Sequence, residues 1–386
     1  MALKVGVPRE TMAGETRVAV VPVVAEKYVA LGARLVLERG AGVASFYRDD
    51  EYAVATLGDA AQALGADLVL KVRPPAEAEV AMLREGAVLV GLLDPYRAHS
   101  TVRALAARGV TSFALELLPR ITRAQAMDAL TSQASVAGYK AALMAADLSG
   151  RYFPMLTTPA GTIRPAKVLV LGVGVAGLQA IATARRLGAM VEAYDVRQAT
   201  REQVQSLGGR FIDTGIDAEA EGGYARELTD EERAQAAAVV ADHVAAADAV
   251  ITTAAVPGRP APRLIDAVTV ARMRPGAVIV DLASETGGNC ELTRPGERVV
   301  SDNGVVVYGP LNVPAMLPVH ASDQYARNLF NFVSPFIADG ELRLDWDDEV
   351  LAGSVLTRDG EVVNRAVRAA LAAEGTADET SRGGAS

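Results

Sequence analysis

The stretch that decides the fold is residues 167–189, KVLVLGVGVAGLQAIATARRLGA. An apolar run, KVLVLG (167–172), leads into a turn carrying Gly172, Gly174 and Gly177, after which the chain runs to Leu187 with no Pro and no further Gly. This is the pattern of a strand, a tight turn and a helix. Each glycine has a physical reason in such a turn. Gly172 permits the bend, Gly174 lets a pyrophosphate approach the backbone, and Gly177 lets helix pack closely on strand. A helix beginning there turns unpaired N–H groups and its positive dipole end toward phosphate oxygens.

Working outward, Asp195 ends the next strand-like run, MVEAYDV (190–196), 18 residues beyond Gly177. An acid there accepts hydrogen bonds from the adenosine ribose hydroxyls and repels a 2′-phosphate, which favours NAD(H) over NADP(H). Arg197 argues the other way, since an arginine can bind that phosphate. ADAVITT (247–253) and GAVIVDLA (276–283) continue the βα series, with helices expected over 175–187 and 230–246.

An earlier series reads the same way. LKVGVP (3–8), RLVLERG (34–40), ADLVLKV (66–72), GAVLVGLL (86–93) and TSFALEL (111–117) are short apolar runs, as strands covered on both faces tend to be. Pro22 and Gly32 bracket the helical pattern between the first two. Residues 124–148 lack Pro and read as one long helix, with Gly138 internal. Residues 154–166 read as a loop, 321–337 as a returning helix, and 341–363 as short strands with an Asp359-Gly360 turn.

The expected fold class is therefore α/β, with two Rossmann-like doubly wound parallel-sheet domains and an NAD cleft between them. The first domain is expected over 1–134, completed by a returning segment 314–375. The NAD(H)-binding domain is expected over 135–313, and a mobile tail over 376–386.

The chain has 386 residues, too many for one ordinary core. A net charge of −9 argues against nucleic acid and anionic lipid as direct partners. The single cysteine, Cys290, argues against a disulfide framework, and no metal-ligand spacing stands out. Met1 opens almost directly onto a strand-like run, so no export signal is expected, and no long uncharged apolar window suggests a membrane span.

Dehydrogenases that oxidise an alcohol or amine move a proton with the hydride, usually through a positioned His or Lys. The three histidines are His99, His243 and His320. His243 lies in a helical pattern, and neither His99 nor His320 sits in a recognisable motif. Hydride transfer from one nicotinamide to another needs no acid or base. It needs two rings in contact and water kept out.

That requirement points to PRITRAQAMDALTSQASVAGYKA (119–141), which gathers Arg120, Gln125 and Asp128. Spacing alone gives a blander reading. Gln125 and Asp128 share a helix face, and Thr122 with Gln125 forms a Thr-x-x-Gln capping box.

Nearly the whole chain resembles the NAD(H)-binding component, domain I, of proton-translocating nicotinamide nucleotide transhydrogenase. The resemblance rests on ELLPRITRAQAMDALTSQASVAGY, VLGVGVAGLQAIATARRLGA, DVRQATREQVQSLGGRF, EGGYARE and DLASETGGNCELTRPGE. It implies that Arg120, Gln125 and Asp128 hold the nicotinamide, with Ile121, Thr122, Arg123 and Thr131 lining the same pocket. Val175, Asp195, Val196 and Arg197 would meet the pyrophosphate and adenosine. Gly223, Gln235 and Ala255 would lie along the cofactor, and Tyr224 would close over it as a lid.

It further implies a homodimer, NADP(H) bound on a partner subunit, and a membrane-spanning subunit that couples the exchange to proton movement. The chain would then be cytoplasmic and peripheral to the inner face of the membrane. Alanine dehydrogenase shares the two-domain plan. Arg17 and Lys71 match the positions that hold its substrate carboxylate. Its catalytic histidine and aspartate, however, align with Asp94 and Glu285. A non-catalytic NAD(H) sensor is a further alternative.

Overall fold

The computed structural model describes the chain except for Met1, residues 217–225, Glu227, Pro257 and residues 384–386. The first βα series forms β1 (Lys4–Val7), α1 (Pro22–Ala30), β2 (Arg34–Glu38), β3 (Thr56–Gly58), α2 (Ala60–Leu64), β4 (Leu68–Leu70), α3 (Glu77–Met82), β5 (Val88–Gly91), α4 (His99–Ala107) and β6 (Thr111–Ala114). Helix α5 (Ala129–Leu148) follows, then a hairpin, β7 (Leu156–Thr158) and β8 (Gly161–Ile163).

The second series is β9 (Lys167–Leu171), α6 (Val175–Arg186), β10 (Met190–Tyr194), α7 (Thr200–Ser206), β11 (Arg210–Phe211), α8 (Asp230–Ala246), β12 (Ala249–Thr252), α9 (Ala267–Ala271), β13 (Val278–Asp281), β14 (Arg298–Val300) and β15 (Val306–Tyr308). The chain ends with α10 (Pro318–Val333), β16 (Ile337–Ala338), β17 (Glu341–Leu342), α11 (Glu349–Ser354), β18 (Val355–Arg358), β19 (Glu361–Val362) and α12 (Arg365–Gly383).

Two compact units result. One comprises Met1–Gln133 and Leu317–Ser386, the other Ala134–Met316. The first is built on an eight-stranded sheet of order β19-β18-β6-β5-β4-β1-β2-β3, antiparallel only at β18 and β19. The second has order β11-β10-β9-β12-β13-β15-β14, antiparallel only at β14. Both are doubly wound α/β sheets. Alternate residues of the central strands feed opposite cores, as a period of two requires. Val168 and Val170 enter one core of the second unit, Leu169 and Leu171 the other.

Several expectations need correction. The long helix over 124–148 is broken. Thr122–Met127 is a 3-10 stretch, Asp128 is extended, and α5 starts at Ala129. Asp128 breaks the run by capping α5, its carboxylate accepting the Thr131 N–H at 2.9 Å and the Thr131 hydroxyl at 2.6 Å. Thr122 makes no cap, so the Thr-x-x-Gln box does not form.

The loop over 154–166 contains the β7–β8 hairpin, because its Pro and Gly form the turn rather than interrupting structure. The strand-like segment 341–363 contains α11, nucleated by Asp348, whose carboxylate accepts the N–H groups of Val350 and Leu351. The hairpin turn that follows has Asp359 at φ 51° and Gly360 at φ 82°, the two left-handed residues a tight hairpin needs. Helix α12 runs on to Gly383, through most of the segment read as a tail; it contains no proline.

Candidate functional site

In the second unit, the turn after β9 gives each glycine a different environment. Gly172 has φ 93°, and a Cβ there would lie 2.7 Å from Thr253 Oγ1 and 3.0 Å from Ala254 N. A Cβ on Gly177 would lie 2.0 Å from the Gly172 carbonyl oxygen. One on Gly174 would meet nothing within 4 Å, so the turn is open on that side. Gly174 caps α6 with extended backbone and no side-chain hydrogen bond. The first N–H groups of α6 have no intrahelical partner, so the open side is suited to an anion. Val175, in the first turn, is exposed.

Asp195 follows β10 and is buried. Its carboxylate accepts the Val173 N–H at 2.7 Å, the Arg197 N–H at 3.0 Å, and the Arg197 guanidinium through Nε and Nη2 at 2.8 Å each. Burial works to raise its pKa. The bonds from Arg197 and Val173 outweigh burial and hold the carboxyl below its ordinary range. The same contacts bind Arg197 to Asp195, so the acid and the arginine that argued for different dinucleotides form one ion pair.

Val196 packs against the core. Gln235, on α8, donates from Nε2 to the Thr214 carbonyl at 2.9 Å and so braces the loop after β11. Ala255 is exposed beyond β12. Gly223 and Tyr224 lie outside the described residues.

In the first unit, Arg120, Thr122, Arg123, Gln125 and Thr131 are exposed or half-buried, and Ile121 is half-buried. The segment is held from beneath. Ala124 and Met127 are buried, and Asn328 and Asn331 of α10 both donate to the Ala126 carbonyl, at 2.9 and 3.0 Å. Arg123 is tied to Asp348 at 2.6 Å. Gln125 and Asp128 are separated by the end of the 3-10 stretch and do not share one helix face.

The sequence leaves the roles of Arg17 and Lys71 open. In the first sheet the strand order turns between β1 and β4, the place where open α/β sheets usually bind ligands. Here that place is filled from within. Lys71 is fully buried, donating to Glu79 at 2.8 Å and lying 3.4 Å from Glu10. Arg17 donates to both oxygens of Glu15, at 2.8 and 2.7 Å, and to Gln133 at 2.8 Å. Arg73 reaches Glu15 at 3.0 Å.

Burial alone would raise Glu15, but the hydrogen bonds and charge of Arg17, with Arg73 behind them, hold it at about 2. A folded pKa below the ordinary 4.5 adds stability above that pH, which is lost as pH falls toward 2. Glu15→Gln is therefore expected to flatten the acid limb of the melting-temperature profile between pH 4.5 and 2. An acid limb as steep as wild type would contradict this.

The remaining candidates for proton transfer are otherwise engaged. His99 lies 2.7 Å from Glu374 and His243 2.7 Å from Glu192. His320 is exposed in the first turn of α10. Asp94 adopts φ 45° and donates its N–H to Glu116, a carboxyl pushed up to about 7 by burial. Glu285 accepts the Asn312 N–H at 2.7 Å.

Two family models match the chain. The one described as alanine dehydrogenase/PNT, N-terminal domain, covers residues 6–137, and its C-terminal counterpart covers 141–365. The chain is 48% identical to an NAD(P) transhydrogenase subunit alpha protein of Rhodospirillum rubrum, over 95% of this chain and 99% of that protein. It is 31% identical to an alanine dehydrogenase of Mycolicibacterium smegmatis, over 94% and 95% respectively. Among solved structures, a transhydrogenase from Sinorhizobium meliloti superposes with a TM-score of 0.85 at 46% identity, covering 93% of this chain and 100% of that one.

Proposed function

Because the chain belongs to the alanine dehydrogenase/PNT family, we propose that it is the NAD(H)-binding component of a proton-translocating transhydrogenase. It exchanges hydride with NADP(H) held on a partner subunit, and a membrane-spanning component couples that exchange to proton movement. The chain acts as a homodimer and reaches the membrane through its partners. Among the described residues, no helix is long and apolar enough to cross a bilayer.

The residues fit this dinucleotide. The open side of Gly174 and the N-terminus of α6 suit a pyrophosphate. The Asp195–Arg197 pair keeps a carboxylate for the ribose hydroxyls while engaging the arginine that would otherwise favour a 2′-phosphate. When bound, the reduced nicotinamide supplies the hydride. The chain's own task is to place the ring and exclude water, with Arg120, Gln125 and Asp128 as the orienting groups.

The observation that carries this reading against alanine oxidation is the neutralised cluster of the first unit. Arg17 and Lys71, the cations an amino-acid substrate would need, are buried against Glu15, Gln133, Glu79 and Glu10. Wild type is expected to bind NADH in preference to NADPH in equilibrium titrations. Gln125→Asn shortens one orienting side chain by a methylene. It is expected to slow hydride transfer on the order of a hundredfold while NADH affinity stays nearly unchanged. Equal losses in both would instead make Gln125 a uniform binding residue, and preserved transfer would favour a sensor.

A further inference from the structure

Beyond β13 the chain folds back around one carboxylate. Asp281 is fully buried. Its Oδ1 accepts the Thr252 hydroxyl at 2.8 Å and the Ala283 N–H at 3.0 Å. Its Oδ2 accepts the Cys290 N–H at 3.0 Å and the Thr293 hydroxyl at 2.6 Å. Gly288, at φ 79°, passes so close that a Cβ would lie 2.8 Å from Oδ2.

The folded-back loop delivers Asn289, also fully buried, to the segment after β12. Asn289 Oδ1 accepts the Ala254 N–H at 3.1 Å. Its Nδ2 donates to the carbonyls of Ala254 and Pro262, both at 2.8 Å. A carboxamide offers two donors and an acceptor, and this one spends them all on neighbouring backbone. Both peptide groups of Ala254 are thereby fixed.

Ala254 flanks the glycine turn. Its N would lie 3.0 Å from a Cβ on Gly172, and the neighbouring Thr253 hydroxyl donates to the Gly172 carbonyl at 3.0 Å. In a doubly wound sheet each half carries one mononucleotide. Asp195 belongs to the half built on β9, β10 and β11. Ala254 follows β12, in the half that would carry the nicotinamide nucleotide.

We propose that Asn289 is a positioning residue for the nicotinamide half of the dinucleotide. By holding both peptide groups of Ala254 beside the glycine turn, it sets the wall that this half meets. The proposal rests on the NAD(H) reading above.

The test compares NADH with 5′-ADP, which lacks the nicotinamide nucleoside. Asn289→Ala and Asn289→Asp each remove the two donated bonds. Both variants are expected to lose on the order of tenfold in NADH affinity while binding ADP within about twofold of wild type. Unchanged NADH affinity, or equal losses for NADH and ADP, would overturn the proposal. The second outcome would make Asn289 merely structural. If neither variant folds, hydrogen exchange in wild type decides. The Ala254 amide should be more protected with NADH than with ADP, and equal protection would overturn the proposal. Failure of wild type to bind either nucleotide would instead sink the underlying reading.

Discussion

Gly138→Ala is expected to destabilise the second unit by roughly 3 kcal/mol and to weaken NADH binding at least tenfold. Helix propensity alone predicts the opposite, since alanine in a helix interior is favoured over glycine by about 1 kcal/mol. Sterics decides against it. A Cβ on Gly138 would lie 2.0 Å from the Ala176 carbonyl oxygen and 2.8 Å from its carbon. Both atoms are backbone, so no flexible side chain can swing away. Either α5 or the first turn of α6 must move, and that turn presents the N–H groups on which a pyrophosphate would rest. Urea melts and NADH titration of the variant check both halves. A melt and an affinity like those of wild type would contradict the packing argument.

Lys71→Ala is expected to cost about 3–5 kcal/mol, the usual penalty for removing one partner of a buried ion pair. Glu79 and Glu10 would face each other inside the first unit without their shared cation. Lys71→Met combined with Glu79→Leu should recover part of the loss, because an apolar pair of similar volume leaves fewer buried charges unpaired. Chemical melts of the single and double variants measure this. A Lys71→Ala chain that melts like wild type yet has lost activity would place Lys71 at a substrate rather than in the core.

Much of the fold is legible in the sequence because the two βα series repeat strong local signals. The central strands read as uninterrupted apolar runs, and α8 begins at Asp230 and ends at Ala246, within the expected 230–246. The exceptions are places where one side chain redirects the backbone. Asp128 caps α5 and splits what reads as one helix, and Asp348 does the same for α11 inside a strand-like segment.

The glycine turn is legible from spacing, but not why Gly138 is glycine. That answer requires the crossing of α5 on α6. The engagement of Arg17 and Lys71 is hidden for the same reason, since Lys71 and Glu79 meet only when α3 packs over the end of β4. Asn289 lies within the stretch 281–297 that carries the family resemblance. Nothing in its spacing reveals that it grips Ala254, 35 residues away.

The central claim is that hydride passes directly between two coenzyme rings with no proton carrier. The most direct measurement mixes this chain with the NADP(H)-binding domain of a transhydrogenase and supplies NADH deuterated at its reactive ring carbon. The account predicts that deuterium arrives on the NADP(H) ring undiluted by solvent hydrogen. Absence of transfer, together with NAD⁺ reduction by this chain alone when alanine is added, would contradict it.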